Sequence, residues 1–445
     1  MSPLERRKRA EVTAKCDSFL KDLQRWQEAL EHFPQHTSQV KRLQRVFGTQ
    51  AKNLAERREK TTAADSADGL AEILLLFRVW AFYRQKLDQR FVPVQDDFLR
   101  VADEVAYTWW APARKAALRT ADAKVRGRFA KEPPLLFLNG DVSPFTVTRK
   151  IAFEAEVAEG LNERLRTWST RLLKQAPVPV VGVPYFAAGH IPDLLVIAHE
   201  VGHNVEDDFG LTKDLDQAVR DALAQASADS QIAWPAWRDE IFADLWGVLV
   251  GGLAFVDTLI DFLPNDIDAV RIEDPRSTGW GSYPTTALRA ELLFTALEKL
   301  GLSSEGKQRR SEFRKRHPKH ALSKLEADVP SVVDALLECK PASFAGISIR
   351  QAAGFDKDEE RALAAEVSSV ADGNAPASTT TATMAKVIAQ AFRVEPEHVS
   401  AASRSEALWQ ILEASAVNGV RSSDAVLPEQ ELAEADAELA EIPEE

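Results

Sequence analysis

The sequence predicts a mostly helical protein with one small β-sheet, an α+β fold, and three observations support this. Residues 3 to about 128 repeat their apolar positions at helical spacing. Two later stretches, 135–149 and 176–186, instead have the β-branched and aromatic residues typical of strands. Residues 320–420 are rich in alanine and again mostly helical in pattern. The strands are therefore expected as a small insertion between long helical regions.

Changes in composition divide the chain into four predicted segments. They are a helical N-terminal domain (1–130), a central domain (131–305), a helical C-terminal region (306–423) and an acidic tail (424–445). The first boundary follows from a basic stretch that Pro133 and Pro134 terminate. A low-complexity stretch near 372–383 predicts a flexible segment within the C-terminal region. The tail has no basic residue and is expected to be disordered or loosely helical.

The second strand-like stretch contains Pro177, Pro179 and Pro184. Because proline has no N–H to donate, a strand with alternating prolines is expected at the edge of a sheet. Such an edge could accept an extended peptide as an additional strand. Alternatively, the prolines could only protect the edge against aggregation. The sequence does not decide between these two interpretations.

Composition also limits the compartment and the partners. A net charge of -13 argues against nucleic acid as the main partner, because phosphate binding needs a basic surface. Cys16 and Cys339 are the only cysteines, which is typical of a reducing compartment and excludes a thiolate zinc site. The basic N-terminus lacks the apolar core of a signal peptide, and the apolar run 245–256 is too short to span a bilayer. We therefore expect a cytoplasmic protein without a membrane partner.

The stretch 193–205 carries the strongest functional motif, His199-Glu200-Val201-Gly202-His203. An apolar run precedes it and favours a helix. Positions four apart share one face of a helix, so His199 and His203 should point at the same spot with Glu200 beside it. Two neutral imidazoles and an adjacent carboxylate are the groups that a hydrolytic zinc site needs.

A hydrolytic zinc usually has three protein ligands, so one more is required. An extended motif would place glycine and a third histidine after His203, but Glu206 and Phe209 stand at those positions. The other known arrangement takes a glutamate from a later helix, and Glu240 is the candidate. Asp244 lies four residues further on the same helical face. It is expected to accept the second N–H of a ligand histidine, which fixes the tautomer of that histidine.

These two motifs, His199 to His203 and Glu240-Ile241-Phe242-Ala243-Asp244, resemble those of the gluzincins, the thermolysin-like clan of zinc metallopeptidases. The resemblance covers roughly residues 176–295. It implies a zincin-like core in the central domain, flanked by the helical regions. It also implies one Zn²⁺ bound by His199, His203 and Glu240, with Glu200 as the catalytic carboxylate.

The same resemblance implies the chemistry of peptide-bond hydrolysis. A zinc-activated water would attack the carbonyl carbon, and Glu200 would act as general base and then general acid. Members of the clan often place a tyrosine, a histidine or an arginine where it can stabilise the oxyanion, which makes Tyr283 and Arg289 candidate catalytic residues. The expected partner is a peptide or protein substrate, whereas the oligomeric state cannot be predicted.

One alternative function and two further histidine sites remain open. The chain could be a non-hydrolytic binding or scaffold protein built on a metallopeptidase fold, but the intact Glu200 favours the enzyme. His190 precedes the motif and either lines a cleft or is merely solvated. His317 and His320 could bind a metal, although no carboxylate or thiolate lies near them in sequence.

Overall fold

The computed structural model describes residues 2–32, 34–60, 66–119, 131–147, 163, 165, 178–263, 283–317, 324–372, 374–378, 380–394 and 409–414. This part of the chain is mostly helical and contains one three-stranded mixed sheet. The predicted α+β class is therefore confirmed, whereas the zincin-like core remains a prediction. The acidic tail and nearly all of the helix predicted for 151–174 lie outside the described residues.

Four long helices precede the sheet. They are α1 (Pro3–Glu28), α2 (Thr37–Lys60), α3 (Ser66–Asp88) and α4 (Pro93–Ala117). Helix α1 begins with a capping box, in which the Ser2 hydroxyl accepts the backbone N–H of Glu5 and the Glu5 carboxylate accepts that of Ser2. Most of the large aromatic residues of this region are buried in the cores, with Trp80, Trp109 and Trp110 at most 2% exposed.

The sheet has the order β1-β3-β2. Its strands are β1 (Leu135–Asn139), β2 (Phe145–Val147) and β3 (Val180–Pro184). Strand β3 runs parallel to β1, with Leu135 opposite Val180, and antiparallel to β2, with Phe145 opposite Gly182. The segment 140–144 therefore joins two strands that do not pair with each other, because β3 lies between β1 and β2.

The predicted edge position of the proline-containing strand is wrong, because β3 is the central strand. The reason is the position of the prolines. Pro179 directly precedes β3 and Pro184 is its last residue, so the residues between them, 180–183, all keep N–H groups for pairing. Pro177 lies outside the described residues. Strand β2 has no described partner other than β3, and it takes the edge position next to the central helices.

Five helices follow the sheet directly. They are α5 (Ile191–Leu194), α6 (Ile197–Asp208), α7 (Thr212–Ala222), α8 (Ala228–Ala236) and α9 (Arg238–Phe262). Pro235 lies inside α8, and α9 begins three residues later, at Arg238. By length and composition α9 could cross a membrane, yet 72% of its most apolar window is buried within the protein.

The remaining helices surround this group. They are α10 (Thr286–Lys299), α11 (Ser303–Arg316), α12 (Val329–Glu338), α13 (Ile349–Ala353), α14 (Lys357–Ala371) and α15 (Thr381–Val394). Residues 409–414 are also helical. The predicted flexible segment near 372–383 corresponds to the connection between α14 and α15 and the first residues of α15.

Two hydrophobic cores lie on opposite faces of the sheet. The first contains α1, α2 and α3 together with Leu135 and Val180. The second contains α4, Leu136, Val181 and the helices that follow the sheet. Neighbouring residues of one strand point to opposite faces, which explains why β1 and β3 each contribute to both cores. Helix α4 thus packs with the central helices although it precedes residue 130, and the division into four segments remains a prediction.

Candidate metal centre

Helix α6 carries the two histidines of the motif. Its apolar residues, including Val201 and Val205, are buried in the second core. His199 and His203 share another face, with ring centroids 4.8 Å apart and ring planes nearly perpendicular. His199 is buried, whereas His203 is only partly buried. The helical spacing that the sequence predicted thus brings both imidazoles to one place at the border of the core.

Helix α9 crosses α6 at very short range, which brings Glu240 to the histidines. Gly202 makes this possible because a Cβ atom at this position would lie only 2.7 Å from the Cα atom of Ala243. Real Cβ atoms do not approach backbone so closely, and any larger residue would force the two helices apart. The glycine between Val201 and His203 therefore sets the distance between the two ligand-bearing helices.

Three donor atoms meet at this crossing. The Nε2 atoms of His199 and His203 are 3.2 Å apart. Oε2 of Glu240 lies 3.2 Å from the first nitrogen and 3.5 Å from the second. Atoms bound about 2.0–2.1 Å from a tetrahedral zinc are separated by about 3.3 Å, so the three donors fit such an ion. Within the described part of the chain, no other group of three or more histidines, cysteines or acidic residues is arranged to hold a metal.

The buried Glu240 oxygen supports the same interpretation. Oε2 is inaccessible to solvent and accepts no hydrogen bond of ordinary geometry. Burial raises the pKa of Glu240, but the neighbouring imidazoles of His199 and His203 outweigh burial and lower the pKa to about 2. A buried, ionised oxygen that forms no well-aligned hydrogen bond is costly unless a cation binds it. The residues present therefore fit a divalent metal ion.

Asp244 holds His199 in the orientation that this geometry needs. Its Oδ1 lies 2.8 Å from Nδ1 of His199, so Nδ1–H donates to the carboxylate and Nε2 is the nitrogen that faces the other two donors. Asp244 is only 1% exposed. Burial raises the pKa of Asp244, but the Arg289 guanidinium and His199 bring it far below its ordinary value. The contact has the form that the sequence predicted for Asp244.

Arg289 of α10 contacts Asp244 rather than the donor atoms. Its Nε and one terminal nitrogen lie 2.8 and 2.7 Å from the two carboxylate oxygens, a bidentate pair buried with the histidine. Two of the three guanidinium nitrogens are thus engaged. The structure brings Arg289 to the site through Asp244, while its proposed role at an oxyanion stays a prediction.

Tyr283 lies at the entrance of the same site, two residues before the cap of α10. Its side chain is half exposed, and its ring centroid is 5.4 Å from Cζ of Arg289. Partial burial and the negative charges of Glu240 and Glu200 raise the pKa of Tyr283 to about 12. The phenol therefore keeps its proton at neutral pH and can donate a hydrogen bond.

Glu200 lies close enough to His199, His203 and Glu240 for their charges to act on it, but it is not one of the three donors. It is buried, and burial followed by the charge of Glu240 raises its pKa, although His199, His203 and Arg289 act in the opposite direction. A carboxylate with a raised pKa takes up a proton more readily than an ordinary glutamate.

The balance of charge also favours a cation. Burial lowers the pKa of His199, but its contacts with Asp244 and Glu240 and the charge of Glu200 raise it to about 10. The acidic neighbours thus favour a positive charge beside this imidazole. A divalent ion bound at Nε2 of His199 would supply this positive charge in place of the proton.

Glu206 and Phe209 occupy the positions where an extended motif would have glycine and a third histidine, and both make contacts away from the metal donors. Phe209 is buried, and its ring packs against those of Trp110 and Phe344. The Glu206 carboxylate forms an ion pair with Arg238 and accepts the Thr212 hydroxyl. Neither residue contributes a metal ligand.

The other histidines named from the sequence do not join the donors. His190 makes a local contact of 3.1 Å with Asp193, and its ring packs against Phe392. His317 is buried against the ring of Phe313, and His320 lies outside the described residues.

Two contacts beside the site were missed by sequence reasoning. The Asn204 amide donates to the Thr146 hydroxyl at 2.7 Å, which joins α6 to the edge strand β2. Glu360 of α14 lies against Gly252 of α9. Only the glycine pair at 251–252, inside an otherwise apolar helix, gave a signal for the second contact.

Comparison of the chain with protein-family models, with curated proteins and with solved structures finds no match.

Proposed function

We propose that this protein is a zinc-dependent metallopeptidase. The observation that supports this most strongly is the triangle formed by Nε2 of His199, Nε2 of His203 and Oε2 of Glu240, with sides of 3.2, 3.2 and 3.5 Å. Two imidazoles and one carboxylate are a ligand set typical of hydrolytic zinc sites. When bound, zinc lowers the pKa of a water molecule and polarises a carbonyl oxygen.

Glu200 carries the proton transfers in this proposal. As a general base it takes a proton from the water that attacks the carbonyl carbon, and as a general acid it gives this proton to the leaving amine when the C–N bond breaks. The raised pKa of Glu200 makes it a stronger proton acceptor than an ordinary glutamate, as the first of these tasks requires. This residue distinguishes the enzyme from a scaffold with a structural metal, which has no need for a proton acceptor beside the ion.

Tyr283 and Arg289 have different parts in the proposed reaction. Tyr283 keeps its phenolic proton and is exposed to substrate, so it is the candidate donor to the oxyanion. Arg289 acts through its two contacts with Asp244, which orients His199. We therefore assign Tyr283 to the stabilisation of negative charge and Arg289 chiefly to the positioning of a ligand.

The edge strand β2 is the candidate binding surface for substrate. Among the described strands β2 pairs only with β3, and the Asn204–Thr146 hydrogen bond holds it beside the turn of α6 that contains Glu200. An extended peptide could add to this edge as a further strand. The strand addition first considered for β3 thus applies to β2.

Metal analysis combined with peptide cleavage tests the proposal. The wild type should contain about one zinc per chain and cleave members of a peptide library. Glu200→Gln should keep the zinc and lose at least about 100-fold in turnover. His203→Ala should lose the zinc, whereas the matched control His190→Ala should retain it. A wild type that binds zinc but cleaves nothing that Glu200→Gln spares would contradict the enzymatic role.

A further inference from the structure

Helix α9 is broken at Gly252, eight residues after Asp244. The backbone there has φ 59° and ψ -142°, a conformation on the left-handed side that favours glycine. A Cβ atom at this position would also overlap the carboxylate of Glu360. The helix therefore consists of two parts, 238–251 with the proposed ligand and 253–262, and an acidic side chain lies against the break.

Glu360 comes from α14 and caps the second part of α9. Because Gly252 leaves the helical conformation, Leu253 is the first residue after the break, and its N–H is donated to Oε2 of Glu360 at 3.1 Å. Lys386 of α15 forms an ion pair with the other oxygen of the same carboxylate. Both side chains are less than one-tenth exposed, so the cap and its counter-ion are buried together.

The break folds Phe255 back onto the ligand-bearing face of α9. The face that carries Glu240 and Asp244 continues at helical spacing through Gly247 and Gly251. A Cβ atom on either glycine would overlap the Phe255 side chain. In an unbroken helix Phe255 would lie about 12 Å along the axis from Gly247 and could not cover it. Its ring thus forms the apolar wall one turn beyond Asp244.

We propose that Glu360 is a positioning residue for the metal centre, because it holds the break that sets Phe255 behind Asp244. A buried ion pair contributes little net stability once its desolvation is counted, so the pair with Lys386 is better explained by the conformation that it specifies. The C-terminal helices α14 and α15 then fix the orientation of Asp244 and, through it, of His199. This inference rests on the proposed function, since it concerns the same metal site.

Two double variants separate the effect of the hydrogen bond from Leu253 N–H to Glu360 from the effect of the ion pair between Glu360 and Lys386. Glu360→Gln/Lys386→Met and Glu360→Met/Lys386→Met both remove the ion pair, but only the first retains an acceptor for the Leu253 N–H. In the full-length protein, zinc affinity is measured by competition with a chelator. The visible spectrum of the Co²⁺-substituted protein reports the ligand geometry. We expect the Gln/Met variant to bind zinc like the wild type, and the Met/Met variant to bind about tenfold more weakly with an altered spectrum.

Val370→Ala is the matched control for a loss of stability in the same helix. Val370 is buried in α14, about 15 Å along the helix from Glu360. This variant should unfold at a lower temperature but keep the wild-type zinc affinity and Co²⁺ spectrum. Equal zinc affinities of the two double variants would overturn the proposal.

Hydrogen exchange decides the positioning role independently of metal. In the Met/Met variant, amides of residues 241–249 should exchange faster than in the Gln/Met variant. A difference confined to residues 253–262 would overturn the proposal, because the cap would then act only on its own part of the helix. If the wild type binds no zinc, the proposed function fails, while this exchange comparison still decides whether Glu360 positions the first part of α9.

Discussion

Two buried clusters in this protein contain the same three residue types, and only one of them is arranged for a metal. Asp244 joins His199 and Arg289 in the candidate metal centre, with contacts of 2.7–2.8 Å. The second cluster joins the residue before α2, the segment between α3 and α4, and α4 itself, beside the start of β1. There Asp103 contacts His36 and Arg90, each at 2.8 Å.

Burial does not distinguish the two clusters, because His36, Asp103 and Arg90 are all at most 4% exposed. The difference lies in the second nitrogen of each histidine. In the second cluster, Nδ1 of His36 bonds with Gln39, and Nε2 contacts both Asp103 and Arg90. His36 therefore has no lone pair to offer to a metal.

In the candidate metal centre the second nitrogen of the histidine is directed at other donors. Nε2 of His199 faces Nε2 of His203 and Oε2 of Glu240. A histidine held by an aspartate and an arginine thus contributes to a metal site only where further donors converge on its other nitrogen. Otherwise the same three residues form a structural contact, which at His36 connects two helices to the sheet.

The largest expected difference between the clusters concerns the proposed metal ligand Glu240 and the histidine of the second cluster, His36. Glu240→Ala should abolish zinc binding because it removes one of three ligands. His36→Gln should keep full zinc content but lower the free energy of unfolding by roughly 3 kcal/mol, because it disturbs a buried charged pair. Zinc content and urea unfolding of the purified variants measure both effects. Loss of zinc from a folded His36→Gln variant would contradict the assignment of the second cluster to structure alone.

The aspartates should differ by a smaller amount. Asp244→Asn weakens the acceptor that orients His199, and we expect about a 10- to 100-fold loss of zinc affinity. Asp103→Asn should leave zinc affinity unchanged while reducing stability, because Arg90 then lacks a buried counter-charge. Chelator competition on both variants, with circular dichroism as a check on folding, compares them. Equal zinc affinities would show that Asp244 does not act on the metal site.

The arginines provide the smallest contrast. Lysine keeps the positive charge but cannot form the bidentate contact, so Arg289→Lys should reduce zinc affinity only several-fold, about three- to tenfold. Arg90→Lys should change thermal stability without any effect on zinc affinity. The comparison uses the same competition assay at one ionic strength. A larger loss for Arg90→Lys than for Arg289→Lys would contradict the assigned roles.

The sequence predicted the parts of the site that depend on local spacing. His199 and His203 share a helical face, and Glu240 and Asp244 share another, because residues four apart always do in a helix. The mostly helical architecture with a small sheet followed from the same periodicities. The spacing of the prolines was visible as well, but not the fact that two of them would bracket a central strand.

The parts that escaped prediction depend on which elements meet in space. Arg289 lies 45 residues from Asp244, and no local pattern indicates that its guanidinium would bind that carboxylate. Glu360 lies more than one hundred residues from Leu253. His36 and Arg90 form the same kind of contact as His199 and Arg289, so residue types alone could not have separated the structural cluster from the candidate metal centre.

The central claim is that a zinc ion is held by His199, His203 and Glu240, and anomalous diffraction at the zinc absorption edge tests it most directly. Crystals of the wild-type protein grown with zinc should show one strong anomalous peak about 2.0–2.1 Å from both Nε2 atoms and from the Glu240 carboxylate. The second cluster at His36 should show none. A peak elsewhere, or no peak among these three side chains, would contradict the account.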